Sequence, residues 1–468
     1  MDARKEAAKR AERWCIVGGG MLGLGLAHKL AGPGREITVL EASDRFGGLA
    51  DAWQVGPVTW DRHYHVTLMS DLHMRRLLDD IGLGGEMNWR TANTDFYENG
   101  RFHPLNNAID FLRFPPLGLI DKARLAFTIL YASWLKNGVA LEGVPVRSWL
   151  EKLSGRRTYE RIWKPLLRAK LGENHKIVSA SFIWSVINRF YSARRAGIAK
   201  EMFGYVTGGY ERIVATLVDS LGQRGVACRH GQPVLGIARC KDGVAVRTPS
   251  GKQTFDRVVV TAPGSHAARM CSGLTQAERD RLAALRYQGV VCASVVLKKP
   301  LRGRYLTYVA DETIPFTGVI EMTAVVDPET FGGLSLVYLP HYLPADHPMF
   351  DEDEEAIRAR SIDRLKAMYP HIEDDDVVAF RVSRARTVMA VQQLNYSKAV
   401  PPMETSVPGL HIVNSAQIIN GNLNVDEMIG LAGRAVEALL AAAPETDAHP
   451  TGKLRGQPAN ENRAAIPA

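Results

Sequence analysis

The 468-residue sequence is poor in cysteine and has no long hydrophobic run. Its five cysteines include no Cys-x-x-Cys pair, so neither a zinc knuckle nor a redox dithiol is expected, and this usage fits a reducing compartment. Residues 1–13 alternate small and charged side chains and lack the apolar core of a secretory signal. The most lipophilic stretch, residues 125–135, holds 11 uncharged residues, too few to cross a bilayer. We therefore expect a cytoplasmic protein that is not an integral membrane protein.

Composition excludes disordered, collagen-like and coiled-coil classes, because 46% of the residues are hydrophobic and 23% are charged. Positive charge is concentrated in residues 101–200, where 18 Lys and Arg against 6 Asp and Glu give +12, while the whole chain carries +8. This segment is either a solvated helical face or a surface for an anionic partner. Apolar residues between Phe111 and Trp134 accompany the charges, as in a helix lying among lipid headgroups, although they could also be core. We predict peripheral contact with an anionic inner membrane face and no nucleic-acid partner.

A dinucleotide-binding motif occupies the start of the chain. Residues 14–17 form an apolar strand, Gly18-Gly19-Gly20-Met21-Leu22-Gly23 satisfies GxGxxG, and a helix is predicted over residues 24–30. In such a motif Gly18 allows the tight turn, Gly20 lets the backbone approach a pyrophosphate at the helix N-terminus, and Gly23 lets helix and strand pack closely. We expect Met21 and Leu22, between these glycines, to lie against the cofactor as well.

Glu41 ends the second predicted strand, 18 residues after Gly23. A carboxylate at this position accepts hydrogen bonds from an adenosine ribose and repels a 2′-phosphate. The site is therefore predicted to exclude NADP more firmly than NAD.

The following residues, Glu41-Ala42-Ser43-Asp44-Arg45-Phe46-Gly47-Gly48, resemble the extended motif of the FAD-dependent amine oxidase, phytoene desaturase and protoporphyrinogen oxidase superfamily. The resemblance implies FAD as the cofactor and implies contacts to it from Ala42, Arg45, Gly47, Gly48 and Leu49. Later segments agree in order: Gly208-Gly209-Tyr210 resembles the glycine pair that returns the chain from the substrate domain, and Val234 matches the valine whose backbone faces the adenine.

The C-terminal signature departs from the superfamily pattern. Ser415 stands where the family has an acid, and it can still bond a phosphate or a ribityl hydroxyl. A helix predicted from Val425, with Asn424 as its cap, can still direct its positive end at the flavin.

This resemblance implies an α/β fold with a Rossmann-like FAD-binding domain of the glutathione-reductase type, a mixed-sheet substrate domain and a helical insert. The FAD-binding domain is then predicted to comprise three separate segments, residues 13–87, 206–270 and 406–443. Between them lie the helical insert of the substrate domain (88–205) and the substrate-domain sheet (271–405). A flexible N-terminus (1–12) and a flexible tail (444–468) are predicted at the two ends.

Candidate catalytic residues lie in Asp61-Arg62-His63-Tyr64-His65, which resembles the family's Asp-x-Gly-x-His beside the flavin. His63 and His65 could act as acids, bases or hydrogen-bond donors, although on a strand both would share one face and could simply pack there. No third ligand accompanies the two histidines, so no metal is predicted. Cys292 stands where amine oxidases carry a lysine, which disfavours amine oxidation; a packing role for this cysteine is more common than a catalytic one.

These features predict an FAD-dependent oxidoreductase that oxidises or desaturates a hydrophobic lipid-, isoprenoid- or tetrapyrrole-like substrate, which can carry an anionic group. No second glycine-rich βαβ unit is visible, so oxygen, a quinone or another carrier is the expected electron acceptor. The alternative is a non-redox mutase similar to UDP-galactopyranose mutase, with a diphosphate bound by Arg156, Arg157, Arg161, Arg168, Arg194 and Arg195. A third possibility is a non-catalytic binding protein.

Overall fold

The structure is a computed structural model that describes residues 10–106, 108–115, 117–195, 202–419 and 421–441. Its strands are β1 (Glu12–Val17), β2 (Arg35–Leu40), β3 (Ala52–Val55), β4 (Val58–Asp61), β5 (Thr67–Leu68), β6 (Met87–Thr91), β7 (Thr94–Glu98), β8 (Arg101–Pro104), β9 (Met202–Val206), β10 (Ala227–Arg229), β11 (Gly236–Cys240), β12 (Gly243–Thr248), β13 (Gly251–Phe255), β14 (Arg257–Val260), β15 (Tyr287–Leu297), β16 (Leu306–Val309), β17 (Gly318–Glu321), β18 (Ser335–Pro344), β19 (Val377–Ala390) and β20 (Leu410–Ile412).

The helices are α1 (Met21–Leu30), α2 (Leu72–Asp80), α3 (Ala108–Arg113), α4 (Leu119–Trp134), α5 (Val146–Ser154), α6 (Arg156–Thr158), α7 (Lys164–Leu171), α8 (Ala180–Arg195), α9 (Gly209–Gln223), α10 (Gly264–Met270), α11 (Gln276–Ala283), α12 (Glu354–Met368), α13 (Tyr396–Ala399) and α14 (Val425–Ala441). A π-helical turn, Tyr159–Trp163, joins α6 to α7.

A parallel five-stranded sheet in the order β10-β2-β1-β14-β20 positions the nucleotide motif. Its central strand β1 is apolar and buried from Trp14 to Val17, as expected for a strand covered on both faces. Val17 is in register with Leu40 and with Val260, so the turn after β1 and the residues after β2 and β14 meet at one edge. Helix α1 begins at Met21, three residues before the predicted start, because Gly20 is extended and the chain turns helical directly after it.

A mixed seven-stranded sheet in the order β19-β15-β18-β17-β16-β7-β8 forms the second layer. All of β15 is buried, and this strand pairs antiparallel with β18 and β19. One face of β15 and β18 packs under β3 and β4, which form a separate two-stranded ribbon.

The prediction that residues 88–205 are mostly helical is wrong at its start. Residues 87–104 form β6, β7 and β8: β6 pairs with β9, while β7 pairs with β16, more than 200 residues away in sequence. Pairing with these distant strands, rather than the local propensity of residues 87–104, determines that this segment forms strands. The helical insert is therefore α3 to α8, with its core around Trp149, Trp163 and Phe182.

The chain ends lie partly outside the described residues. The predicted flexible N-terminus, residues 1–12, includes Arg10, whose guanidinium lies 2.7 Å from Asp256, and Glu12, which already belongs to β1. Those two positions are therefore ordered. The predicted tail, residues 444–468, lies outside the described residues.

Candidate functional site

The glycine-rich loop between β1 and α1, called the cradle below, is so tightly packed that a side chain would not fit at Gly18 or Gly23. Gly18 has a φ of +112°, and a Cβ atom there would lie 2.2 Å from Thr261 Oγ1. A Cβ atom on Gly23 would lie 1.8 Å from the Gly18 carbonyl oxygen. Gly20 caps α1 without a side-chain hydrogen bond, so the first-turn amides of Met21 and Leu22 keep their capacity to bind an anion.

A second glycine pair lies against this loop. The Gly47 amide donates to the Gly19 carbonyl at 2.9 Å, and a Cβ atom on Gly48 would lie 3.2 Å from Gly20 Cα. Both residues have positive φ, +115° and +63°, which glycine adopts without the strain that a Cβ atom brings. The structure thus brings together two glycine segments that are 24 or more residues apart in sequence.

Glu41 lies at the edge of this cradle. Its Oε2 atom accepts from the Gly19 amide at 2.6 Å, and Oε1 accepts from the Ser43 amide at 2.9 Å. Oε1 also accepts from the Ser43 hydroxyl at 2.8 Å, so Oε2, which has one partner, is the oxygen that retains acceptor capacity for a ribose hydroxyl. The Gln232 amide donates to the Glu41 carbonyl at 2.8 Å, which brings Val234 to the same end of the site; Val234 precedes β11 rather than lying within a strand.

Arg45 is held by two carboxylates. Its Nη2 atom lies 2.7 Å from Glu211, and its Nε atom lies 3.0 Å from Asp51. The hydrogen bond to Glu211 is the main cause that raises the pKa of Arg45. Ala42 and Leu49 beside it are exposed. The contacts predicted from Arg45, Ala42 and Leu49 to the cofactor remain predictions.

The C-terminal elements reach the same edge of the sheet. Ser415 starts a short turn directly after β20, and Asn424 caps α14 by accepting from the Glu427 amide at 3.0 Å, so the cap predicted before Val425 is present. Buried Gln392 donates to the Gly421 carbonyl at 2.7 Å and fixes the intervening loop, a role that sequence reasoning missed.

His63 and His65 do not lie on a strand, because β4 ends at Asp61 and the segment after it is a loop in which the two rings have different partners. His63 Nδ1 lies 3.2 Å from the Leu49 carbonyl, and its Nε2 lies 3.0 Å from Ser383 Oγ. His65 packs on the Tyr210 ring with centroids 4.9 Å apart. Burial lowers the pKa of His63 to about 4 and that of His65 to about 3, so both rings are neutral at pH 7. A protonated, acid-donating histidine at neutral pH is disfavoured.

Three further residues beside the histidines were given no role from the sequence, although two of them belong to the same motif. Buried Asp61 accepts from the Tyr210 amide at 2.8 Å, and burial raises the pKa of its carboxyl to about 8. The hydroxyls of Tyr64 and Tyr342 lie 2.8 Å apart and join the loop to β18. Tyr64 stands between the two candidate histidines in the sequence, whereas no local signal marks Tyr342.

Cys292 is fully buried in β15, and burial raises the pKa of its thiol far above the usual range. A thiol in this setting is inert and packs as a small apolar side chain. The structure thus supports the packing role.

The parallel sheet, the two opposed glycine segments and the carboxylate after β2 define a protein that binds a dinucleotide through its pyrophosphate. The chain belongs to the Flavin containing amine oxidoreductase family, which it matches over residues 23–418. This confirms the predicted superfamily and, with it, a flavin cofactor and the class of FAD-dependent oxidoreductase.

A curated relative is the 15-cis-phytoene desaturase of Capsicum annuum, 24% identical over 249 residues, which cover 49% of this chain and 42% of that enzyme. The match thus spans less than half of the relative's length. Among solved structures, an oxidoreductase from Methanosarcina mazei has a TM-score of 0.72 at 18% identity, covering 91% of this chain and 100% of that one. A reduced UDP-galactopyranose mutase has a TM-score of 0.71 at 15% identity, covering 93% and 97%. These similarities confirm the mixed α/β fold with a Rossmann-like FAD-binding domain.

The residues present fit FAD. The cradle at Gly18, Gly20 and Gly23 with the α1 amides would hold the diphosphate, Glu41 would hold the adenosine ribose, and the N-terminus of α14 would lie toward the flavin. When bound, the flavin supplies a ring that accepts a hydride.

Proposed function

We propose that this protein oxidises or desaturates a hydrophobic substrate by hydride transfer to FAD. The observation that carries the proposal is the apolar character of the β15–β18 face where it meets the histidine loop (residues 62–66), next to the part of that face covered by β3 and β4. Val290, Cys292, Tyr338 and Tyr342 belong to one buried cluster there, and Tyr64 packs against it from the loop. A water-poor wall of this kind suits a lipid-, isoprenoid- or tetrapyrrole-like molecule better than a polar amine.

The titratable groups named so far in this wall and in the loop that faces it are neutral, which supports the same proposal. Burial raises the pKa of Tyr64 and of Tyr338, and burial lowers the pKa of His63 and of His65. The role of these residues is then to orient the substrate, exclude water and donate hydrogen bonds from uncharged groups. Reoxidation by oxygen, a quinone or another carrier belongs to the proposal.

The mutase alternative needs cationic side chains that can meet a diphosphate. Arg157, Arg161 and Arg168 each have a carboxylate partner, at 3.6, 2.8 and 2.8 Å respectively. Arg194 and Arg195 have side chains outside the described portion of the chain. Arg156 has no carboxylate partner among the described residues, so the case for the oxidoreductase over the mutase rests here on the ion pairs of Arg157, Arg161 and Arg168.

The decisive experiment is anaerobic mixing of the purified yellow protein with candidate lipids, tetrapyrroles and nucleotide sugars. We expect a hydrophobic compound to bleach the flavin absorption band and to emerge oxidised or desaturated. Isomerisation of a nucleotide sugar by the reduced protein, without net consumption of an electron acceptor, would instead establish the mutase. If no compound bleaches the flavin band and none is converted, the result would support the alternative of a non-catalytic binding protein.

The proposed place of action is the cytoplasmic surface of an anionic membrane, and α4 supports this proposal. No helix in the described ranges combines the length and the apolar character needed to cross a bilayer. One face of α4 nevertheless exposes large apolar side chains, with Leu119 79%, Ile120 77%, Phe127 52% and Trp134 68% accessible.

The positions of these residues fit one stripe of the helix. Ile120, Phe127 and Trp134 recur at seven-residue intervals, and Leu130, which is also exposed, lies between them. Arg124 on α4 and Lys136 just after it are exposed at the border of the stripe. An apolar face bordered by cations suits an anionic lipid surface, with the helix lying in the headgroup layer.

Vesicle sedimentation tests the membrane contact. The protein should bind vesicles containing phosphatidylserine more strongly than neutral vesicles, and binding should weaken with salt. The double variant Phe127→Ser/Trp134→Ser should lose most of the binding, whereas Leu235→Ser, which alters a 51% exposed leucine before β11, should retain it. Equal binding to neutral and anionic vesicles, or equal binding by both variants, would contradict the proposed membrane contact.

A further inference from the structure

Lys170 near the end of α7 differs from the other cations of that helix. Lys164 lies 3.3 Å from Glu312, and Arg168 lies 2.8 Å from the same carboxylate. Within the described ranges Lys170 has no carboxylate partner, and its Nζ atom lies 5.1 Å from the centroid of the Tyr342 ring. A cation over an aromatic face gains some stabilisation, but its charge is not neutralised.

The hydroxyl pair of Tyr64 and Tyr342 leaves one proton to donate. Two hydroxyls at 2.8 Å share one hydrogen bond, which uses one of their two protons. The described residues offer no second partner to either hydroxyl. Tyr64 is neutral, since burial raises its pKa well above 10, so the remaining proton is available to an acceptor.

An anion at this place would be attracted to Lys170, because the neighbouring side chains are either apolar or already paired. The Tyr342 ring packs with Val290 and Cys292 in an apolar cluster. Arg62, the cation in the histidine loop, is already paired with Asp51 at 2.7 Å. The charge of Lys170 also acts on His65, which follows Tyr64 in that loop. A cation over the Tyr342 ring and a spare hydroxyl proton of the Tyr64–Tyr342 pair thus lie at the edge of this wall.

We propose that Lys170 and the spare proton of the Tyr64–Tyr342 pair bind a carboxylate carried by an otherwise apolar substrate. One cation and one hydroxyl donor match the charge and size of a monoanion, whereas a phosphate dianion calls for more donors. The inference rests on the proposed function, because it names the substrate class of the same site. Its test measures ligand binding and does not need catalytic turnover.

The test is titration of the FAD-loaded protein with decanoate, decanol and decyl phosphate, followed by calorimetry and by shifts of the oxidised flavin spectrum. Wild type should bind decanoate more tightly than the other two. Lys170→Gln should weaken decanoate binding by roughly 10- to 100-fold, as expected for loss of a charged hydrogen-bond partner, and leave decanol binding unchanged. Lys170→Arg should retain most of the affinity. Lys164→Gln, the matched control on the same helix, should behave as wild type.

Three results would overturn the inference: equal affinity of wild type for decanoate and decanol, unchanged decanoate affinity in Lys170→Gln, or tighter binding of decyl phosphate than of decanoate. Unchanged decanol binding in Lys170→Gln shows that the variant is folded. Suppose that decanoate binding depends on Lys170 but no candidate substrate bleaches the flavin. The first result would support this inference, and the second would contradict the proposed oxidation. The two failures are therefore distinguishable.

Discussion

The Nε2 atom of His63 lies 3.0 Å from Ser383 Oγ, while the Nδ1 atom of the same ring lies 3.2 Å from the Leu49 carbonyl oxygen. A carbonyl can only accept, so Nδ1 carries the hydrogen and Nε2 accepts from the Ser383 hydroxyl. The neutral ring thereby connects the glycine-pair segment to β19. His63 is thus a residue that holds the loop between β4 and β5 in position.

Replacing Ser383 with alanine should therefore destabilise this connection. The half-buried Nε2 atom would lose its donor, at a cost of about 1 kcal/mol in the free energy of unfolding. Urea unfolding measures this change, and a shifted flavin spectrum should accompany it. The matched control is Ser294→Ala on β15, because the Ser294 hydroxyl is buried and has no partner among the described residues. Equal losses in the two variants would contradict the role assigned to Ser383.

His65 should make the protein less stable in acid. Burial lowers its pKa from 6.5 to about 3, so between these values the unfolded chain binds a proton that the folded chain does not. Its contribution to stability is fully present above pH 6.5 and is lost as the pH falls toward 3. The variant His65→Asn should show a smaller slope of unfolding free energy against pH between 4 and 6.5. A slope equal to that of wild type would show that His65 does not titrate in this way.

Asp61 should have the opposite effect on stability, which it should lower as the pH rises. Its pKa is raised from 3.8 to about 8, chiefly by burial, so between these values the folded protein holds a proton that the unfolded chain releases. Stability from this group is present below pH 4 and falls as the pH rises toward 8. Asp61→Asn keeps an acceptor for the Tyr210 amide and removes the titration. The variant should therefore gain stability over wild type from pH 5 to pH 8 in parallel unfolding curves, and a constant difference would contradict the assignment.

The nucleotide end of the site could be predicted from the sequence because strand, glycine turn, helix and acid follow one another locally. Gly18, Gly23 and Glu41 occupy the predicted edge of the sheet for that reason. Strand β7 could not be predicted in the same way, since its partner β16 lies more than 200 residues further on.

The proposed substrate end of the site depends on such distant pairing throughout. Lys170, Tyr64 and Tyr342 come from a helix, a loop and a strand that only the tertiary structure brings together. The i, i+2 spacing of His63 and His65 is typical of one face of a strand, but the chain leaves β4 at Asp61, and the two rings have different partners. Spacing predicts a shared face only where the backbone remains regular.

Substitutions of two glycines within helices, Gly23 in α1 and Gly433 in α14, test whether the close packing of the cradle is needed to hold FAD. Gly23→Ala places a Cβ atom 1.8 Å from the Gly18 carbonyl, and backbone on both sides leaves little room to yield. We expect loss of FAD retention on gel filtration together with a fall in melting temperature. Gly433→Ala in α14 meets no atom within 4 Å and should raise stability by about 0.5–1 kcal/mol, because alanine favours the helix. If Gly23→Ala retains FAD as firmly as Gly433→Ala does, the close packing of loop and helix is not what holds the diphosphate end of the cofactor.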